Sequence, residues 1–304
     1  MTDYILHHFD ASPFAEKIRL VFGLKRLAWR SVQIPMIMPK PDLVALTGGY
    51  RKTPVLQIGA DIYCDTIHIA HLIESLEPTP TLYPNGRSGL ARALGRWSDT
   101  AFFEPGAALS MGENPQVPQA VIDDRKAFFN FMDFDNLDAD LPHCRTQFQA
   151  QAQLVEDELS TDSAYIEGDN PGLADIHAWF PVWMAMANIP TAQKLLSPFP
   201  KLQIWSDRMS KIDHGSPSDM TSNEALTIAK EATPTDCTLF DADNPLGLYH
   251  GQMVNVAADD YGCDPVHGEL AGLTLSTATI RRQDPVAGEL NVHFPRAGFR
   301  VTAA

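Results

Sequence analysis

Cysteine and positive charge are what this sequence has least of. Its four cysteines, Cys64, Cys144, Cys237 and Cys263, stand far apart, with no C-x-x-C pair and no zinc-ligand spacing. That excludes a disulfide-stapled scaffold and points to free thiols in a reducing compartment. Against 38 Asp and Glu there are only 23 Lys and Arg, a net charge of −15. A nucleic-acid binder would need a basic stripe to neutralise phosphates, and an anionic membrane surface would demand the same, so neither partner is expected. No apolar run approaches the roughly 18 residues of a membrane span. Met1-Thr2-Asp3-Tyr4 carries an acid where a signal peptide would carry a base. A soluble, cytoplasmic protein is expected.

Other signatures are missing too. There is no phosphate-binding glycine loop, no G-x-S-x-G and no H-E-x-x-H. The acidic run from Asp133 to Asp140 fails as a calcium loop, with Leu137 at the third ligand and Asp138 where the turn needs glycine. Asp65, His68 and His71 fall at i, i+3 and i+6, which do not share one helix face, so no metal is expected. His7 and His8 point to opposite sides of a strand, one toward the core and one toward the surface.

What is present is ordinary globular material, 44% hydrophobic and 20% charged. The charge is uneven: residues 1–87 hold nine basic and eight acidic residues, a net of +1, which leaves −16 for the rest. A near-neutral segment in an acidic chain suits a small anionic ligand.

Three regions follow from the pattern. Residues 1–77 read β-α-β-(α)-β-β-α, with strands at Tyr4–His8, Arg30–Ile34, Thr53–Ile58 and Ile62–Tyr63, a helix opened by Ser12-Pro13, and another from Asp65. After a proline-rich linker, residues 88–213 show helical periodicity (Leu90, Leu94, Trp97 and Ala101; Phe148, Ala152 and Val155) and form an all-α domain. The polar stretch His214–Asp219 reads as a connector, with a short helix near Asn223–Ala232 beyond it. Residues 236–304 alternate apolar and polar, the mark of a small all-β, barrel-like module. Such a module has a marginal core alone and is expected to rest on the helical domain or across a dimer.

The chemistry concentrates in residues 11–66. Ser12 precedes a helix, where backbone N–H groups and the helix dipole favour negative charge. It serves equally as a plain helix cap. Thr53-Pro54 stands before a strand, where a cis bond would expose the backbone of Thr53 to an extended ligand. Asp65-Thr66 opens another helix and can hold an ammonium and a carboxylate together.

In this order the three elements resemble a cytosolic glutathione transferase. Ser12-Pro13-Phe14-x-x-Lys17-x-Arg19 is similar to the first helix of the serine- and cysteine-type, omega-like classes. Thr53-Pro54-Val55-Leu56 is similar to the cis-proline element, and Gly172-Leu173-Ala174-Asp175-Ile176 to the capping element of the central helix, with Gly172 in place of Ser or Thr. The resemblance covers residues 4 to 213. It implies a thioredoxin-like α/β N-terminal domain, a helical second domain and a homodimer. By position, Ser12 would hydrogen-bond the glutathione sulfur and Thr53, with Pro54, would bind the cysteinyl backbone. Asp65 and Thr66 would take the γ-glutamyl end, Lys52 the peptide's polar groups and Lys40 its glycyl carboxylate. Phe14, Phe102 and Phe103 would line a pocket for the second substrate, a small electrophile, and Asp175 would be structural. Because Ser12 stands where thiol reductases have cysteine, disulfide exchange is not expected. The alternatives are a non-catalytic glutathione-fold protein that binds a ligand or partner, and a glutathione-dependent isomerase or lyase. No motif assigns a role to residues 236–304.

Overall fold

A computed structural model describes residues 2–159, 163–237 and 239–304. The chain forms two compact units, one of Met1–Ala15, Ala28–Ile69 and Ser216–Ala304, the other of Glu16–Leu27 and Ala70–Gly215.

The first unit begins with β1 (Ile5–His8) and the opening turn of α1 (Pro13–Lys25). β2 (Ala28–Gln33), α2 (Pro41–Thr47), β3 (Val55–Ile58), β4 (Asp61–Cys64) and α3 (Thr66–Leu76) follow in the expected order. β1 pairs in parallel with β2 and antiparallel with β3, and β4 completes the hairpin with β3. This is the thioredoxin-like domain. Since β1 is an inner strand with both faces covered, all four of its residues are buried. His7 and His8 are therefore both internal, which corrects the expectation of one surface residue. His7 pairs with Gln57 Oε1 at 2.8 Å and His8 with Ser31 Oγ at 2.9 Å.

The second unit is helical: α4 (Ser88–Trp97), a π-helical turn (Ser98–Phe102), α5 (Phe103–Gly112), α6 (Gln119–Lys126), α7 (Leu137–Glu158), α8 (Leu173–Asn188), α9 (Ala192–Leu196) and α10 (Pro200–Met209). α8 is its axis, buried along most of its length. Asp175 is structural, as expected: it accepts from Ile166 N at 2.7 Å, Gly172 N at 3.0 Å and Trp205 Nε1 at 2.9 Å. Lys17 and Asp99 form an ion pair of 2.6 Å inside this unit.

The remaining elements return to the first unit. β5 (Ser216–Asp219) adds in parallel to β2, although its Ser-Pro-Ser-Asp sequence reads as a connector. It is an exposed edge strand, where proline is tolerated because one side of the backbone faces water. After α11 (Ser222–Glu231) come β6 (Met253–Ala258), β7 (Val266–Leu273), β8 (Thr277–Asp284), β9 (Gly288–Pro295) and β10 (Phe299–Ala303).

The spatial order β10-β6-β7-β8-β9 explains the barrel-like character. β10 pairs with β6, yet only residues 296–298 separate it from β9. Those four Cα steps reach about 14 Å, whereas a flat sheet would separate β9 from β10 by four spacings, about 19 Å. The five strands must curl for the connection to close.

The composition leads one to expect a support outside the first domain, but the sheet is continuous instead. β9 pairs in parallel with β4, Asp61 opposite Asn291 and Tyr63 opposite His293, giving one ten-stranded sheet. One apolar core runs through both parts, joining Ile5, Val55 and Ile62 to Val256, Ile280, Val292 and Phe294. On the other side of the junction lies a polar cluster. Asp61 accepts from His293 Nε2 at 2.8 Å and from Thr235 Oγ1 at 2.7 Å, while the His293 ring stacks on Tyr63 at 4.4 Å. The module's edge strand thus finds in β4 an edge that would otherwise be left unpaired.

Candidate active site

The residues expected to hold a tripeptide all lie in the first unit. Ser12 is buried, 3% exposed, at the start of α1. Its Oγ accepts the Ala15 N–H at 3.2 Å, so the residue does cap the helix. A hydroxyl also carries a proton of its own, which this acceptor role leaves free to be donated.

The Thr53–Pro54 bond is cis. Among the described residues Asp65 is one of two non-glycine residues with positive φ, at 74°. This left-handed conformation is costly without glycine and is found where a site fixes the backbone. Its Oδ1 caps α3, accepting from Ile67 N at 2.9 Å and His68 N at 3.4 Å, and Thr66 is buried beside it.

The two lysines are differently engaged. Lys40 Nζ donates to Thr53 Oγ1 at 3.2 Å and to the Arg51 carbonyl at 3.3 Å. Lys52 Nζ lies 2.5 Å from Asp260 Oδ1 and 4.1 Å from the centre of the Tyr261 ring. Asp260 and Tyr261 belong to the loop between β6 and β7. No local signal links them to Lys52, because 208 positions separate Lys52 from Asp260.

All four cysteines are free, and burial, as the first cause, pushes each thiol up. Among the described residues no group of three or more His, Cys, Asp or Glu side chains is placed to hold a metal ion, and no helix is long and apolar enough to cross a membrane. Phe14 is half-buried in the first unit. Phe102 and Phe103, in the second, are 0% and 4% exposed. There Phe102 packs on Trp97 and Phe148, and Phe103 on Phe129, Phe131 and Phe180, so both are core of their own unit.

Comparison with known proteins bears on the fold and the family. Residues 6–81 match the family model of the glutathione S-transferase N-terminal domain, and residues 121–213 that of the C-terminal domain. A GST-like protein from Pseudomonas syringae is 37% identical, with a TM-score of 0.80, and the match covers 100% of each chain. The β module is therefore shared with that protein. Maleyl pyruvate isomerase, a bacterial glutathione S-transferase of the Zeta class, is 21% identical with a TM-score of 0.52, covering 69% of this chain and 93% of its own. FzlA from C. crescentus is 22% identical with a TM-score of 0.53, covering 69% and 88%. These two share the fold alone. No curated protein sequence matches the chain. With both domain models and a full-length relative in agreement, the chain belongs to the glutathione S-transferase family.

Proposed function

We propose that the protein is a glutathione transferase-type enzyme in which Ser12 stabilises the glutathione thiolate for attack on a small electrophile. The observation that carries this is the buried Ser12 hydroxyl at the N-terminus of α1, its proton uncommitted, in the same unit as the cis Thr53–Pro54 element and the conformationally fixed Asp65. In this reading Thr53 pairs with the cysteinyl backbone, and Asp65 and Thr66 hold the γ-glutamyl ammonium and carboxylate. The co-substrate is the source of the sulfur in this reading. A homodimer is part of the reading, as the family implies.

The task is thiolate formation. A thiol of pKa near 8.5 is about 3% ionised at pH 7, and one lowered to about 6.5 is about 75% ionised. The two-unit shift corresponds to about 2.7 kcal/mol. A hydrogen bond to a charged group supplies about 1.5–3 kcal/mol and the helix terminus about 0.3–1 kcal/mol. The Ser12 proton and the first turn of α1 together suffice. The thiol proton passes to solvent on ionisation. The thiolate then either adds to the electrophile, whose resulting anion takes a proton from solvent, or displaces a leaving group that departs with the electron pair of the broken bond.

Ser12→Ala should lower turnover at pH 7 about 25-fold, the ratio of those ionised fractions, while changing the glutathione dissociation constant less than about threefold. The thiolate absorbance of the complex, titrated against pH, should move up by one to two units. Ser12→Thr, which keeps a hydroxyl, should retain most activity. Unchanged turnover in Ser12→Ala would end the proposal for Ser12. Binding of glutathione with no turnover of any electrophile would favour the reading in which Ser12 only caps α1 and the protein is a binder.

A further inference from the structure

We propose that the loop between β6 and β7 makes this site select a thiol peptide whose glycyl end carries no free carboxylate, with Asp260 and Tyr261 as the specificity-determining residues. The inference rests on the glutathione reading above.

Lys52 adjoins Thr53, so it stands one residue along the edge that would pair with the cysteinyl unit. In a γ-glutamyl-cysteinyl-glycine ligand the glycyl carboxylate projects beyond that unit and needs a cation. Of the two nearby lysines, Lys52 already faces a carboxylate and Lys40 is buried. Lys52 is bound by Asp260 at 2.5 Å and covered by the Tyr261 ring, with side-chain exposures of 14% for Lys52 and 17% for Asp260. Lys40 is 5% exposed, and its Nζ donates to two neutral oxygens, Thr53 Oγ1 and the Arg51 carbonyl. The same loop carries two more acids, Asp259 and Asp264. An incoming carboxylate must displace the Asp260 carboxylate from Lys52 or stand beside an acidic loop, and both outcomes cost free energy. An ester or amide at that position meets neither cost and can still accept a hydrogen bond.

Gluing the module in place does not account for the pair. β9–β4 pairing and a common apolar core already join the module to the first domain. What the pair does alter strongly is the charge presented next to Thr53.

The test is calorimetric titration of the full chain with glutathione and with its glycyl monoethyl ester. The wild-type protein should bind the ester at least as tightly as glutathione. Asp260→Asn should tighten glutathione binding about tenfold by releasing Lys52, leave the ester within about twofold, and lose that gain when Lys52→Met is added. A wild-type preference for glutathione of tenfold or more would overturn the inference, because another cation, such as Arg51, would then be receiving the carboxylate. An unchanged ratio of the two affinities in Asp260→Asn would overturn it as well. The wild-type comparison needs no variant and decides the matter even if Asp260→Asn fails to fold. If neither ligand binds any of the proteins, the glutathione reading falls and takes this one with it. If both bind with the wrong ratio, only this one falls.

Discussion

Glu167 Oε2 stands where a Cβ on Gly172 would lie, so the carboxylate fills the space that a Ser or Thr side chain would need. From there it accepts the Ala174 N–H at 3.3 Å, the bond a capping hydroxyl would have made at the start of α8. The departure at Gly172 is plain in the sequence, but its compensation is not, because Glu167 lies outside the cap motif and reaches it only through a turn. Burial, with the nearby Asp175 adding to it, pushes the Glu167 carboxyl up to about 7 from 4.5, against the Ala174 hydrogen bond. The folded state thus holds a proton that the unfolded state has lost. Stability should be highest below pH 4.5 for this group and fall as pH rises toward 7. Glu167→Gln keeps the acceptor oxygen and removes the titration. Denaturant unfolding at several pH values should show the wild type losing stability relative to the variant across that window, and parallel curves would refute the assignment.

Strand β9 shows why elements are easier to foresee than their neighbours. Leu290-Asn291-Val292-His293-Phe294 alternates clearly, so the strand and its inward residues are legible. Its partner β4 is not, because parallel pairing across 230 positions is fixed by the shape of the assembled sheet. The same limit hid β5, whose composition suits a loop as well as an edge strand. At the β4–β9 junction, burial pushes the Asp61 carboxyl up, but hydrogen bonds from His293 and Thr235 and the attraction of His293 outweigh it and hold the group below the usual range. A depressed acid stabilises above its unfolded pKa, near 3.9, and that contribution is lost as pH falls through the folded value. Asp61→Asn should cost about 1–3 kcal/mol at pH 7, since it leaves buried donors poorly matched, and should flatten the acid limb of the stability curve. Equal unfolding midpoints at pH 7 would show that the cluster does not secure the junction.

For the molecule as a whole, the sequence divides into three regions while the contacts divide into two units. Periodicity separates the β module because its pattern is that of a new sheet. Only the closing of that sheet onto β4, through one shared apolar core, makes it part of the first domain. The candidate site residues Ser12, Thr53 and Asp65 were legible because short motifs at helix starts and before a strand carry them. The capture of Lys52 was not, since charge pairing between distant loops leaves no mark on either segment. Truncation after Ala232 should therefore do more than remove an appendage. It uncovers the β4 edge and the core facing Ile62 and Val55, and the product should lack a cooperative melting transition or aggregate. A monodisperse truncated protein with the melting temperature of the whole would refute this.

The pairing of Asp61 with Asn291 also sets a timetable. At about 5–20 residues per second, the ribosome needs roughly 10–45 s to pass from one to the other. Through that interval β3 and β4 can form their hairpin, but its outer edge has no strand to meet. The nascent first domain must wait, exposed, for a partner not yet made. Ribosome-bound chains of increasing length, probed by protease, would show its protection arriving only after residue 295 has left the exit tunnel.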